Sequence, residues 1–446
     1  MNNINKNIVQ IDPLIELQKE FCFFFLDNQN RVGLLNEIKM MKTGLRIDGI
    51  NMYKIEDGKL HMRRFLEKLP VQITPKIIID QFMVDPNTKE FNQIAFTPLK
   101  TAKKTLNYWI KPNIKGKKGS CFLIYNFLKN VICNGDNILF TYLLDYLAHM
   151  IQKPQEKPGV MIVMLGGQGT GKGTFFNLLR KIWPRTTLQV SDIDHIVGGF
   201  NASLERNFIV CMDEALFSGQ KKSMDRMKAF VTEEYITIEQ KYQPKRNLHS
   251  IHRFFATTNH EHFGNVELDD RRLVFLNISN EYQENHKYFK VLYNSINDPK
   301  QIEALYYDLY SRDISQFNVR AKPKSEELLY QKLKSLNGFD RFWYEVLTLG
   351  YLDVGRTEGR YYPWNEPQFV ASTLLSSCYQ DYQKGKRQYS IIQFTDIRDG
   401  IKKWCPSAEP IRKNTNSISQ RGYQFPCLDD ARVSFEDKIG ESIAWP

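Results

Sequence analysis

From Gly166 to Lys172 the chain reads GGQGTGK, and Gly173 and Thr174 follow. The spacing G-x-x-x-x-G-K is that of a loop built to hold phosphates. Such a loop needs glycine because its backbone N–H groups must converge on an anion at dihedrals that a side chain obstructs. The helix that follows presents its N-terminal amides and positive dipole end to the same anion. On this reading Gly166, Gly167, Gln168, Gly169, Thr170, Gly171, Lys172, Gly173 and Thr174 surround the phosphates of ATP. Lys172 reaches the β- and γ-phosphates. The commonest motif places Ser or Thr directly after the lysine, where the hydroxyl helps to hold Mg2+. Gly173 occupies that position, so Thr174 is expected to take over the hydroxyl's role while Gly173 permits close approach. The competing explanation is a chance glycine-rich turn. The apolar run before the loop and the amphipathic run TFFNLLRKIW after it argue against that.

Three further stretches carry groups suited to the same chemistry. RNFIVCMDEA reads as a buried strand that delivers Asp213 and Glu214 to the edge of a sheet. Asp213 is expected to hold Mg2+ and Glu214 to polarise an attacking water. HRFFATTN ends on Asn259, placed to hydrogen-bond a γ-phosphate or that water. ELDDRRLVFL sets Arg271 and Arg272 before another strand, and guanidinium forks suit phosphate oxygens. A salt bridge to Asp269 or Asp270 is the plainer use of either arginine. His249, His252, His260 and His262 have ligand-like spacing. Residues three apart on a strand face opposite sides, however, so no zinc site is expected.

These groups need elements to position them. The stretch from 159 to 280 alternates buried strands (GVMIVMLG, RNFIVCMDEA, HRFFATTN) with helices (GTFFNLLRKIW, SMDRMKAFVTE), which predicts a three-layer α/β core. In residues 1–95, PLIELQKEFCFFFL reads as a helix. GINMYKIEDGKLHMRRF reads as two strands across the turn Glu56-Asp57-Gly58. Two helices are expected between Cys121 and Gln152, broken at Asn134-Gly135-Asp136, and a helical segment covers 283–350. In residues 351–446, helices over PQFVASTLLSSCYQDYQ and FTDIRDGIKKW precede a basic hairpin containing Arg412, Lys413 and Arg421, the outline of a winged helix.

With 446 residues, 42% of them hydrophobic, the chain has enough apolar material for more than one core. A net charge of +11 favours a polyanionic partner. No apolar run approaches the roughly 20 residues that cross a bilayer, and the N-terminal MNNINKNIVQIDP lacks the apolar centre of a signal peptide. A cytoplasmic protein is expected, in a bacterial host. The seven cysteines form no CxxC pair and read as buried thiols.

The order of phosphate loop, Asp-Glu strand, basic hairpin, Asn-ended strand and paired arginines resembles superfamily 3 helicases of the AAA+ class. The similarity extends to the helicase module of phage, plasmid and chromosomal-island replication proteins. YLLDYLAHMIQKPQEKPGVMIVMLGGQGTGKGTF, GGFNASLERNFIVCMDEA and FPCLDDARVSFEDKIG carry it, over roughly residues 96–446. The resemblance implies an AAA+ phosphate-loop core at 156–282. An accessory domain at 1–95, a helical collar at 96–155, the helical segment 283–350 and a winged-helix-like DNA-binding domain at 351–446 flank it. It further implies a hexameric ring that hydrolyses ATP between subunits, with Mg2+, and moves on single-stranded DNA to unwind duplex. Arg271 or Arg272 would act as a finger on the neighbouring subunit. The hairpin YITIEQKYQPKRNLHSIH would project Lys241, Lys245 and Arg246 onto DNA phosphates, with Pro244 and Asn247 in its turn. Origin duplex DNA, a primase and other replication proteins are the further partners in view. Residues 1–95 hold no strand-borne Asp-x-Asp pair with a histidine, so nucleotide polymerisation is not expected. A nucleoside monophosphate kinase and a non-translocating AAA+ switch or loader are the alternatives.

Overall fold

The computed structural model describes every residue except 1–10, 27–28, 44–49, 215–220, 242–244, 262, 265, 354–360, 365, 387–393 and 416–417. Pro244 and His262 therefore lie outside the described residues, as do the N-terminal ten. The chain forms two compact units. Residues 1–215, 225–259 and 276–321 make the first, and 216–224, 260–275 and 322–446 make the second. The architecture is mixed α/β, with helices and several separate sheets.

A five-stranded sheet runs Leu273–Asn277, Met161–Leu165, Arg253–Thr258, Ile209–Met212 and Thr187–Val190 in spatial order. The pairings of Arg253–Thr258 with Met161–Leu165 and with Ile209–Met212, and of the latter with Thr187–Val190, are parallel. Met161–Leu165, Ile209–Met212 and Arg253–Thr258 are buried along their whole length, as strands covered on both faces must be. The phosphate-loop strand lies beside the strand that ends before Asn259, and the Asp213 strand lies one further along. Residues far apart in the chain thus reach one edge of the sheet.

Residues 13–95 depart from the sequence reading in two places. Only Pro13–Glu20 is helical, capped by the Asp12 carboxylate, while Phe21–Leu26 is a strand paired antiparallel with Gln29–Leu34. Phe21, Cys22, Phe23 and Phe24 are all buried, so the run is apolar because it is a core strand. The expected second hairpin is a short strand, Met52–Lys54, followed by the helix Ile55–Leu66. Gly58 lies inside that helix. A Cβ there would come within 2.5 Å of the Val32 Cβ, so the glycine serves close packing of helix on strand and not a turn.

The pair of helices before the phosphate strand has the expected break, with Asn134 and Gly135 at positive φ and Asp136 capping Asn137–Gln152. In the second unit the expected helix at 367–383 begins as the strand Gln368–Ala371, and Ser372–Gly385 is helical. The basic hairpin forms as expected, Glu409–Thr415 against Ile418–Phe425, with Gln368–Ala371 completing a three-stranded antiparallel sheet. A core of Trp343, Trp404, Phe425 and Phe435 supports it. Among the described cysteines all seven are thiols, and six are buried. No described helix is long and apolar enough to cross a membrane.

The histidine cluster is broken up by the fold. His252 is wholly buried, with ring nitrogens 2.9 Å from Ser250 Oγ and 2.8 Å from Leu204 O. Burial holds its pKa down at about 3, with neighbouring Lys157 and Arg253 acting the same way. The unfolded chain takes up the proton near pH 6.5 and the folded chain resists it to about pH 3. Stability from this residue is therefore complete above the unfolded value and is lost as pH falls between the two, at about 1.4 kcal/mol per pH unit. Urea midpoints should fall with acidification below neutrality, and His252→Gln should flatten that dependence. Equal slopes for the two proteins would remove His252 as the source.

Candidate functional site

The loop Gly166–Gly171 joins the strand Met161–Leu165 to the helix Lys172–Ile182. Gly169 (φ +76°) and Gly171 (φ +105°) sit in the left-handed region, which glycine enters without strain. Gly171 also lets the loop approach the Phe289 and Phe127 rings, each about 3 Å from where its Cβ would stand. The outer side of the loop is held by the segment after the last sheet strand. Gln283 Nε2 donates to Gln168 O at 2.9 Å, and Glu284 N donates to Gly169 O at 3.3 Å.

Lys172 is buried, and its ammonium donates to Gly166 O and Gly167 O, both at 2.6 Å. The lysine is thereby folded back across the loop. Burial lowers its pKa, while Asp213 and Glu214 oppose that shift, so both carboxylates face the ammonium. Thr170 Oγ1 closes the loop on Gly167 O at 2.8 Å.

Asp213 and Glu214 follow the strand Ile209–Met212, as the sequence indicates. What places them was not legible there. Thr257, fully buried in the neighbouring strand, donates from Oγ1 to Asp213 Oδ1 at 2.7 Å. The same hydroxyl oxygen accepts from Glu214 N at 3.1 Å. Gln189 Nε2 donates to Asp213 Oδ2 at 3.1 Å. Glu214 takes φ +54°, a left-handed conformation that a non-glycine residue adopts only when held. Asn259 Nδ2 donates to Glu214 Oε1 at 3.2 Å, so Asn259, Glu214 and Asp213 form one connected edge beside Lys172. Thr257→Val removes both hydroxyl contacts while keeping the shape. It should loosen the Asp213–Glu214 turn and weaken Mg2+-dependent nucleotide binding about ten-fold. Titration of the variant with and without Mg2+ checks this, and an unchanged Mg2+ dependence would contradict the positioning role.

Thr174 requires a correction. Its hydroxyl donates to Tyr293 OH at 3.1 Å and is packed against the helix His286–Asn297, not turned to the loop. The reason is helical geometry: moving from position 173 to 174 rotates a side chain by about 100°. A Cβ at Gly173 would meet no atom within 4 Å, so the glycine side faces open space and the threonine side faces the core. Asp213 and Glu214, hard oxygen donors at one edge, are the residues here whose chemistry fits Mg2+.

Arg246 also departs from expectation. Its guanidinium pairs with Glu205 at 2.9 Å, with both side chains largely buried, so it is not offered to an outside phosphate. Lys245 pairs with Glu239 at 2.9 Å on the surface, and Lys241 is exposed. Asn247 is not in the turn. It lies in the strand Arg246–His249 opposite Thr237, whose hydroxyl donates to it at 3.0 Å. Arg271 is exposed and Arg272 half-buried, its N–H bonded to Asp270 Oδ1 at 2.8 Å. Both belong to the second unit, whereas the phosphate loop belongs to the first.

Fold and site together define a mixed α/β protein with a phosphate loop. Residues 164–272, from the loop strand through Arg272, match a family of unknown function, DUF5906. The chain is 25% identical over 237 residues to the DNA primase-polymerase of Nitratiruptor phage NrS-1. That match covers 49% of this chain and 32% of the phage protein, so the chain spans about a third of the curated relative. Its fold is that of the NrS-1 C-terminal region. An apo structure of residues 305–718 superimposes with a TM-score of 0.63 at 17% identity, covering 93% of this chain and 99% of that one. An A-form apo structure of the same region gives 0.61 at 17% identity, covering 93% and 100%.

These likenesses overturn the superfamily 3 helicase reading. The curated relative is a DNA primase-polymerase, and the solved neighbours are its C-terminal region, so ATP hydrolysis coupled to unwinding is withdrawn. The kinase and the switch or loader readings are withdrawn with it. So are the roles that depended on them: water activation by Glu214, a lytic-water contact by Asn259 and a finger at Arg271 or Arg272. The expectation that polymerisation is foreign to such a chain fails on the same relative. The residues had led to a family whose order of elements is shared more widely than its activity.

Proposed function

We propose that the chain acts in DNA replication, in the setting of a phage-type primase-polymerase, and that its first unit binds the triphosphate of a nucleoside triphosphate with Mg2+. The observation that carries this is Lys172 folded over a glycine loop opposite Asp213 and Glu214. In this reading the backbone N–H groups of Gly167 to Lys172 and the Lys172 ammonium bind phosphate oxygens. Asp213 and Glu214, held by Thr257 and Asn259, take Mg2+, directly or through its water shell. Bound Mg2+ would supply charge neutralisation between phosphate oxygens.

The replication role rests on the name of the relative. The reaction class that goes with it is nucleotidyl transfer, in which a 3′-hydroxyl attacks an α-phosphate and pyrophosphate leaves. The site test is direct binding of a Mg2+–nucleoside triphosphate to the full chain, with the nucleoside as control. Saturable binding of the triphosphate alone supports the site. The role test is labelled-deoxynucleotide incorporation on single-stranded template, with the chain by itself and added to a primase-polymerase. No incorporation and no stimulation would count against the role and leave the binding site standing.

A further inference from the structure

The first unit holds an open cavity of about 230 Å3, none of whose lining residues belongs to the phosphate loop. Its walls include Tyr53, Tyr108, Glu205, Arg206, Gln240 and Arg246. Glu205 is buried and paired with Arg246 at 2.9 Å. Burial raises the Glu205 carboxyl pKa, and both Arg246 and Arg206 pull it back. Tyr108 is buried too, and its hydroxyl pKa is pushed up, first by burial and then by Glu205, against Arg206 and Arg246. Four groups from distant parts of the chain thus face one space.

Their chemistry selects a ligand. Two guanidiniums against one carboxylate leave a single net positive charge, and a concave low-dielectric wall strengthens its hold on an anion. A triphosphate would bring several negative charges to that one. A phosphodiester brings one per nucleotide. Tyr53 and Tyr108 offer aromatic surface, and the Gln240 amide can both donate to and accept from a base edge. Gln240 and Arg246 flank the tip of the hairpin formed by Tyr235–Ile238 and Arg246–His249, at whose end Lys241 and Lys245 are exposed. We propose that this cavity seats one nucleotide of a single DNA strand, with its phosphodiester on Arg206 and its base against Tyr53, while the strand continues along the hairpin lysines.

The test uses the full chain and a short fluorescent oligodeoxythymidylate, read by anisotropy. Arg206→Ala and Tyr53→Ala should each weaken binding about ten-fold or more. Circular dichroism and Mg2+–triphosphate binding should stay at the wild-type level. A strand carrying 5-iododeoxyuridine should photocrosslink to the peptide containing Tyr53, a readout that does not depend on how the variants fold. Thymidine monophosphate is the second arm. If it binds in an Arg206-dependent way and the oligonucleotide does not bind, the cavity takes a free nucleotide and the strand assignment is wrong. Wild-type oligonucleotide binding by both variants, or crosslinks confined to other peptides, would overturn the proposal. The triphosphate and strand assays use different ligands, so failure of one reading leaves the other to be judged separately.

Discussion

Lys172→Ala should lower the affinity for a Mg2+–nucleoside triphosphate about a hundred-fold, with the fold unchanged. The ammonium makes two hydrogen bonds to loop carbonyls and would exchange them for phosphate oxygens. Charge-assisted bonds of that kind contribute about 1.5–3 kcal/mol each, so the loss of about 3 kcal/mol corresponds to the stated factor. Gly166 and Gly167 lie at the partly exposed mouth of the loop, where water replaces the lost donor, so stability should barely move. The pH dependence has a fixed sign. Because burial depresses the Lys172 pKa, wild-type affinity should weaken as pH rises through that lowered value, and the alanine variant should not show the effect. Calorimetric titration of both proteins across pH checks magnitude and sign together.

The largest expected effect on stability is at Arg253. This arginine is wholly buried at the first position of the strand that carries Thr257. Its guanidinium donates to Ile251 O at 2.9 Å, Lys153 O at 3.3 Å and Glu156 O at 2.5 Å, and lies 5.0 Å from the Phe208 ring centre. Three backbone carbonyls near the end of the Asn137–Gln152 helix and before the strand thus depend on one side chain. Burial pulls its pKa down to about 10, which still leaves it charged at neutral pH. Arg253→Ala leaves those carbonyls unsatisfied and opens a cavity beside Phe208. The expected loss is about 3–5 kcal/mol, reduced from the sum of the contacts because a buried charge is also removed. Urea unfolding of the variant checks it, and a loss under about 1 kcal/mol would mean that water reaches the three carbonyls.

How much of this was legible in the sequence differs from residue to residue. The phosphate loop could be read because its requirement is local: glycine at left-handed positions and a lysine at the start of a helix lie within eight residues. Asp213, Glu214 and Asn259 could be read as strand ends because buried apolar runs announce parallel strands. Thr257 could not, since its partners are 43 and 44 residues away and only the strand pairing brings them together. Its one sequence signal is a polar pair, Thr257-Thr258, at the end of an apolar run beside a site strand.

The direction of Thr174 was calculable and was missed, because a shift of one residue on a helix turns a hydroxyl out of the site. Arg246 looked like surface charge because its partner Glu205 lies in a separate segment. Gly58 looked like a turn because a glycine that accommodates Val32 is indistinguishable from one that bends the chain. The functional family was the furthest step. Order and spacing of motifs specify a phosphate-binding α/β unit, and activity belongs to the partners and domains joined to it.

The most direct test of the central claim is calorimetric titration of the full chain with a nucleoside triphosphate, with and without Mg2+, alongside Lys172→Ala. The account predicts one saturable site per chain, tighter with Mg2+, not reproduced by the nucleoside and weakened about a hundred-fold in the variant. No binding, or equal binding by wild type and variant, would contradict it.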